Sequence, residues 1–136
     1  MRTDYICPKC SGHLLVGDKI IFTAITRKNK RSGIILLSPV VGDYTSVIHP
    51  TFNVEEGEEV NFFCPICHAN LTASDVDEKL VKIIMIDKDS VKHEIYFSDV
   101  MGEHCTYKIS KEIVEKFGDA SEKYYKYFMG RRIWFS

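Results

Sequence analysis

The pattern of apolar and polar positions predicts short β-strands in the first half of the chain. Residues 19–27 are rich in Ile, Phe and Thr, and a second apolar run covers residues 34–38. The polar stretch between these runs ends in Ser32-Gly33, which is typical of a hairpin loop. Residues 44–49 are a further strand candidate, and it ends at Pro50 because proline cannot take part in a central ladder.

A second group of strands is predicted further along the chain. Residues 79–87 are almost continuously apolar, which suits a strand that is buried on both faces, and residues 88–90 form the turn that follows. From 91 to 97 apolar and polar residues alternate, as in a strand with one face in the core. A loop through Gly102 then leads to a last predicted strand at 106–109.

The C-terminal segment, at about residues 110–130, is predicted to be helical. Ser110 can cap a short helix that ends at Gly118. Asp119 begins a second helix, with a glutamate three residues later as in a capping box, and Gly130 stands where a helix C-terminus is expected. We therefore predict an α+β fold, with a mainly antiparallel sheet followed by two short C-terminal helices.

Four cysteines lie in two matched stretches of the chain. The stretches cover residues 5–14 and 62–71 and share the pattern aromatic, apolar, Cys-Pro-x-Cys, three residues, Leu. Their cysteines are Cys7, Cys10, Cys64 and Cys67. Two Cys-x-x-Cys pairs can supply a complete tetrahedral set of thiolates for one zinc ion, and a closed set of this kind is structural rather than catalytic. The spacing therefore predicts a metal site that ties the N-terminus to the middle of the chain.

The two stretches resemble the double knuckle of the zinc-ribbon and rubredoxin-like families. Rubredoxin-like knuckles usually place glycine directly after the second cysteine, where this chain has Ser11 and His68. The resemblance is limited to the two stretches and implies metal binding only. One zinc ion per chain is the expected cofactor, and iron is the alternative because tetrahedral thiolate sites accept either metal.

Other roles for these residues are open at the level of the sequence. Cys-Pro-x-Cys also resembles the glutaredoxin active-site stretch, in which the first thiolate lies at a helix N-terminus, but no helix is predicted after Cys10 or Cys67. His13 and His68 could ligate in place of a cysteine. Residues 103–105, Glu-His-Cys, contain either a loop histidine beside a small buried thiol or a replacement ligand or reactive thiol.

Composition favours a globular protein of the cytoplasm. The chain has 136 residues, 45% of them apolar, so a single domain over residues 1–136 with one sizeable core is expected. No signal peptide is expected before the first cysteine pair, and the apolar runs are too short for a membrane span. Five cysteines in this spacing suit a reducing compartment better than a disulfide framework.

Local basic regions raise the hypothesis of nucleic-acid binding, although 18 Lys and Arg against 19 Asp and Glu leave the whole chain near neutral. Four basic residues crowd one predicted hairpin tip: Arg27, Lys28, Lys30 and Arg31. Positive side chains neutralise phosphates, and the aromatic residues that follow position 105 could stack on unpaired bases. The simpler interpretation is that Lys and Arg solvate a loop tip and that the aromatic residues face the core.

The sequence contains no pattern that indicates catalysis. It lacks a Ser-His-Asp order, a phosphate-binding glycine loop and a His-Glu-x-x-His helix. We therefore expect a small non-enzymatic zinc-binding protein that acts as a protein-binding or regulatory adaptor, with Trp134 as an interface anchor. A nucleic-acid, ribosome- or transcription-associated factor is the alternative, and a thiol–disulfide oxidoreductase is the third hypothesis.

Overall fold

The computed structural model describes residues 3–110 and 113–128. This part of the chain forms ten strands. They are β1 (Asp4–Ile6), β2 (Leu15–Val16), β3 (Lys19–Thr26), β4 (Ser32–Leu37), β5 (Ser46–Ile48), β6 (Val60–Phe63), β7 (Leu80–Ile86), β8 (Lys92–Ser98), β9 (Thr106–Ser110) and β10 (Ile113–Phe117). Sheet A has the order β1-β7-β8-β9-β10, and sheet B has the order β2-β3-β4-β5 with β6 also paired to β3. All pairings between these strands are antiparallel, as the sequence predicts.

The main core lies between the two sheets. Buried and exposed positions alternate along β3, so that one face of this strand packs inwards. Phe22 of β3 and Phe62 of β6 meet Phe97 of β8, with the Phe22 and Phe62 ring centroids 5.3 Å apart and those of Phe62 and Phe97 5.4 Å apart. These three rings therefore join sheet B to sheet A, and the fully buried rings of Phe22 and Phe62 each contribute about 2 kcal/mol of transfer free energy.

A second, smaller core covers the outer face of sheet A. Tyr96 of β8 and Tyr107 of β9 pack under Phe128, with ring centroids 5.0 and 4.6 Å from the Phe128 ring. The Tyr107 hydroxyl donates to the Ser121 carbonyl at 2.5 Å and accepts the Tyr124 backbone N–H at 3.1 Å. The segment 119–128 is thus held against sheet A by both apolar and polar contacts.

The chain folds as two copies of one unit, at 4–48 and 61–108. In each unit a short strand enters a cysteine knuckle, a two-stranded hairpin follows, and a loop leads to a fourth strand. The first strand of each unit pairs with the hairpin of the other, β1 with β7 and β6 with β3. The registers correspond, because Tyr5 is opposite Met85 while its counterpart Phe62 is opposite Ala24. The units are therefore related by an approximate twofold axis.

The loops before the fourth strands also correspond, and we call residues 38–46 and 98–106 the twin loops. The Ser38 hydroxyl accepts the N–H of the residue two positions later at 3.2 Å, and Ser98 does the same at 3.1 Å. Both loops need glycine at the same place, since φ is 93° at Gly42 and 84° at Gly102. The counterparts Tyr44 and His104 stack with ring centroids 4.6 Å apart, so the axis passes between these rings.

The prediction of two C-terminal helices is wrong. Residues 113–117, predicted to be helical, form β10, in which Val114 lies opposite Ile109 of β9. The β-branched residues of this segment complete the open edge of sheet A, and this long-range pairing outweighs the local helix signals. Gly118 was predicted to end a helix but is required by close packing instead. A Cβ at this position would lie 2.2 Å from the His104 carbonyl oxygen.

The second predicted helix is reduced to a single short turn of helix. Residues 119–124 form turns, and residues 125–128 are helical. Gly130 and the tail with Trp134 lie outside the described residues. The fold of the described residues is therefore mainly antiparallel β with very little helix.

Candidate metal centre

The four sulfurs of Cys7, Cys10, Cys64 and Cys67 lie within 4.8 Å of one another, close enough to hold a metal ion. The Cys7 and Cys67 sulfurs are 3.8 Å apart, and so are those of Cys10 and Cys64. Four sulfurs placed about 2.3 Å from a central ion form a tetrahedron with edges of about 3.8 Å. These two distances therefore match tetrahedral thiolate coordination, and all four sulfurs are close enough to share one ion.

The two knuckles come from different sheets. β1 of sheet A leads into Cys7, and β6 of sheet B leads into Cys64. After each knuckle the chain crosses to the other sheet. The Leu14 carbonyl accepts the N–H of Ile21 in β3 of sheet B, and the Leu71 carbonyl accepts the N–H of Lys82 in β7 of sheet A, both at 2.9 Å. A metal ion bound to all four cysteines would join both sheets at the point where each unit crosses to the other.

Leu14 and Leu71 anchor the knuckles in the main core. Their backbone N–H groups donate to the carbonyls of Tyr5 and Phe62 at 2.8 and 2.9 Å, which closes each knuckle as a tight loop. Both leucine side chains are buried in the core between the sheets. The leucine that both sequence stretches share therefore anchors each knuckle in the core.

Each knuckle turns through a residue in the left-handed conformation. These residues are Ser11, with φ of 61°, and His68, with φ of 65°. The Ser11 N–H donates to the Cys7 carbonyl and the His68 N–H to the Cys64 carbonyl, both at 2.9 Å. The left-handed conformation costs a residue with a Cβ about 1 kcal/mol, so glycine would be less strained at either position.

Backbone N–H groups point at the sulfurs from within the knuckles. Lys9 donates to the Cys7 sulfur, Gly12 to that of Cys10 and Ile66 to that of Cys64, each at 3.3 Å. Such hydrogen bonds stabilise thiolates and orient them toward a bound ion. The backbone of each knuckle therefore supplies hydrogen bonds that favour thiolate ligands.

The thiols differ in how readily they lose a proton. Burial raises the pKa of Cys7 to about 12, although the Cys10 and Lys9 backbone N–H groups act against this. Burial also opposes ionisation of Cys64, yet the N–H groups of Cys67 and Ile66 outweigh it and lower the pKa of this thiol. Four thiolates so close together repel one another, so a divalent cation is what allows all of them to deprotonate.

The alternative ligands lie apart from the four sulfurs. His13 pairs with Asp4 at 2.6 Å between Nδ1 and Oδ2, and His68 occupies the exposed turn of its knuckle. Within the described ranges, the only group of His, Cys, Asp and Glu side chains with metal-binding spacing is the four-cysteine cluster. Neither knuckle is followed by a helix, so neither pair has the surroundings of a glutaredoxin-like dithiol.

Cys105 and His104 have separate places in the fold. Cys105 is buried beside Tyr107, and burial raises the pKa of its thiol to about 12, which does not suit a nucleophile. The His104 ring stacks on Tyr44. His93, on the inner face of β8, is buried and pairs with Asp87 at 2.8 Å, as expected for a core histidine.

The basic hairpin tip is divided in two by the fold. Arg27 turns away from solvent and donates to Glu59 Oε2 at 2.8 Å and to the Asp99 carboxylate. Arg31 donates to the Asn53 carbonyl. Lys28 and Lys30 are exposed, and Lys28 lines the same surface cleft as the acidic turn 55–58. Nucleic-acid binding through these four residues stays a prediction.

Asp99 is the most unusual carboxylate of the described chain. Its side chain is fully buried, and its Oδ1 has no hydrogen-bond partner. Burial raises its pKa to about 7 even though the Arg27 guanidinium and Lys79 act against this shift. The ion pair between Asp99 and Arg27 joins the end of β8 in sheet A to the end of β3 in sheet B.

The sequence also contains a repeat that pattern analysis overlooked. Ser-x-Val-x-Gly occurs at 38–42 and again at 98–102, sixty residues later. The glycines and the acidic residues that follow them, Asp43 and Glu103, would have indicated duplicated loops. Comparison of the two knuckle stretches alone does not reveal this, because the duplication extends over whole units.

The chain matches no protein-family model, no curated protein and no solved structure. Within residues 3–110 and 113–128, no helix has the length and apolar character needed to span a membrane. Function is therefore inferred from the geometry of this chain alone.

Proposed function

We propose that the protein is a small non-enzymatic binding module whose two sheets are held together by one structural zinc ion. The observation that carries this proposal is the close approach of four sulfurs, within 4.8 Å of one another, from knuckles that follow strands of both sheets. A four-thiolate set leaves no coordination position for water or substrate, and zinc is the usual ion in sites with a purely structural role. Iron would fit the same ligands but is not needed for this role.

The zinc proposal is tested by elemental analysis of protein purified without added metal. We expect one zinc ion per chain, and we expect a strong chelator to lower the melting temperature because metal binding contributes directly to folding. Iron in place of zinc would overturn the choice of metal. Two ions per chain, or a metal-free protein with freely titrating thiols and an unchanged fold, would overturn the site itself.

The proposed adaptor role rests on the outer face of sheet B. Phe22 and Ala24 of β3 point into the core. The alternate positions of this strand, which include Ile21 and Ile25, therefore point outwards. We call this outer surface the open face, and its apolar side chains are Ile21, Ile25, Ile34, Leu36, Val47 and Phe63. Ile34 is 53% exposed and Val47 is 50% exposed. A contiguous apolar surface of this kind is typical of an interaction site.

The second unit supports a proposal about the partner of this face. Tyr96 and Tyr107, the counterparts of Leu36 and Val47, are covered by the aromatic segment 119–128. We infer that the open face takes an amphipathic aromatic segment of another protein. The partner would thus repeat, between molecules, the contact that the C-terminal segment makes within this one.

The partner is identified by placing a photo-cross-linking residue at Ile34, with the same residue at Val91 as a control on the exposed hairpin turn of sheet A. We expect a protein captured only from position 34, which is then purified. Its affinity should fall at least tenfold for Ile34→Lys and stay unchanged for Val91→Lys. Cross-links only to a second copy of the chain, or equal loss with both variants, would contradict an adaptor role for the open face.

A further inference from the structure

A pocket of about 290 Å³ opens between the twin loops and reaches into the main core. Several lining residues of the first unit have a counterpart in the second unit that also lines the pocket. These pairs include Ile35 with Ile95, Leu37 with Phe97, and Tyr5 with Phe62. The pocket therefore lies on the approximate twofold axis, at the junction of the two units. This position makes it a product of the duplicated architecture and separates it from the open face of sheet B.

The walls of the pocket are mainly apolar side chains of the core. Ile35 and Ile95 are buried, and Leu37 and Phe97 are partly buried against the same cluster. The accessible part of the pocket lies between the loops, because Leu37 and Phe97 are partly exposed there, whereas Ile35 and Ile95 belong to its closed floor. The volume is close to the lower limit of common ligand pockets and suits a fused-ring or branched apolar compound.

The pocket has a defined entrance, because the loops that form it are held in place. The Tyr5 hydroxyl donates to the Pro39 carbonyl at 2.6 Å, which fixes the first loop to sheet A. The Ser98 hydroxyl donates to Glu103 Oε1 at 2.7 Å, which closes the second loop on itself. The stacked rings of Tyr44 and His104 then join the two loops.

The charges at the entrance oppose an anionic ligand. The acidic counterparts Asp43 and Glu103 both line the pocket. Glu103 is already bound to Lys123 and Tyr124, and the Asp43 Oδ1 accepts from Thr45. Lys123 compensates the charge of Glu103, but the described residues that line the pocket include no lysine or arginine. An anion would therefore be buried there without a cationic partner and beside Asp43.

We propose that the pocket between the twin loops binds a small, uncharged and largely apolar molecule. Binding would fill the space between the twin loops, against the partly exposed side chains of Leu37 and Phe97, and would hold the two units together at a second point, away from the four-cysteine cluster. The proposal is independent of the adaptor role, since none of the named pocket residues belongs to the open face.

The proposal is tested with N-phenyl-1-naphthylamine, an uncharged probe that fluoresces in apolar surroundings, on the protein as purified with its metal. We expect saturable binding of one probe per chain and a rise in melting temperature with probe concentration. The matched anionic probe, 8-anilino-1-naphthalenesulfonate, has the same ring system and should bind at least tenfold more weakly, because its sulfonate would meet Asp43 and no cationic side chain in the pocket.

Variants distinguish the pocket from other apolar surfaces. Val41→Trp and Met101→Trp each place an indole in the pocket from one of the twin loops, and either should weaken probe binding at least tenfold. Val91→Trp adds the same ring outside the pocket and should leave binding unchanged. Because the two filling variants alter different loops, loss of fold in one still leaves the other as a test.

Three results would overturn the proposal. The first is unchanged probe binding in a folded Val41→Trp or Met101→Trp variant. The second is equal affinity for the uncharged and sulfonated probes. The third is loss of probe binding in Ile34→Lys, which would move the apolar site to the open face and leave the pocket without a ligand.

Discussion

The two units of this protein have the same framework but different surroundings. Both contain a strand, a knuckle, a hairpin and a glycine loop, with corresponding registers throughout. In the second unit, β10 and the segment 119–128 extend and cover the sheet, whereas the corresponding face of the first unit is exposed. The comparison shows that the shared parts build the four-cysteine cluster and the pocket, while the parts that differ determine which sheet face is exposed.

The junctions between the units differ as well. At one junction Arg27 meets the buried Asp99. The counterpart of Asp99 is Pro39, whose carbonyl accepts the Tyr5 hydroxyl instead. The fold therefore has an ion pair at Asp99 and a neutral hydrogen bond at its counterpart, Pro39. Of these two contacts, only the ion pair makes the free energy of unfolding depend on pH.

The largest effect is expected when the shared metal centre is broken. Cys64→Ser removes one of four ligands and should abolish metal binding, with a loss of stability of roughly 5 kcal/mol or more, because binding energy and folding energy are coupled at structural zinc sites. Metal content and thermal unfolding measure this effect. Cys105→Ser is the matched control, since it alters a cysteine outside the cluster; comparable metal loss there would show that the ligand set is wrong.

The next largest effect should distinguish the covered sheet from the exposed one. Phe128→Ala removes a fully buried ring from the outer face of sheet A and should cost about 3–4 kcal/mol. Val47→Ala truncates a half-exposed side chain on the open face and should cost less than about 1 kcal/mol. Denaturant unfolding of both variants checks the difference, and equal losses would mean that sheet B is covered in solution.

The junction with Asp99 should give a specific pH dependence. The pKa of this carboxyl is about 7 in the fold and about 4 in an unfolded chain. Between these values the folded state binds more protons than the unfolded state, so the free energy of unfolding should fall as pH rises from about 4 to about 7. Allowing for relaxation around the buried pair, we expect a loss of roughly 2 kcal/mol.

Asp99→Asn should remove this pH dependence. Asp43→Asn is the control with the opposite sign, because hydrogen bonds from the Thr45 backbone N–H and hydroxyl lower the pKa of Asp43. Stability from Asp43 is therefore present above its unfolded pKa and lost as pH falls. An unchanged slope between pH 4 and 7 in Asp99→Asn would show that another group titrates.

The smallest effect is expected at the turns of the knuckles. His68→Gly relieves a left-handed residue and should raise the free energy of unfolding by up to about 1 kcal/mol, reduced by the greater freedom of glycine in the unfolded chain. Ser11→Gly makes the same change in the other unit and should have a similar effect. Thermal unfolding of the metal-loaded variants measures both, and a decrease in both would show that these side chains make stabilising contacts.

Local sequence patterns determined the parts of this protein that depend on neighbouring residues. The Cys-Pro-x-Cys pairs predict thiolate knuckles, and the apolar runs at 19–27, 34–38, 79–87 and 91–97 predict strands that the fold contains as β3, β4, β7 and β8. A ligand pair four residues long and a two-residue alternation are both visible within a short window. The helix signals after Ser110 lie in the same kind of window but are weaker than the pairing of Val114 with Ile109.

Only the tertiary structure decided how the two units combine. The exchange of first strands places Cys7 3.8 Å from Cys67 rather than leaving each pair within its own unit. It also brings the twin loops together around a pocket, and it leaves one sheet covered and the other exposed. Local residue preferences set the backbone dihedral angles, but the choice of strand partner depends on contacts between residues far apart in the chain. Those contacts form only once burial of the shared core offsets the entropy of closing the long loops between them.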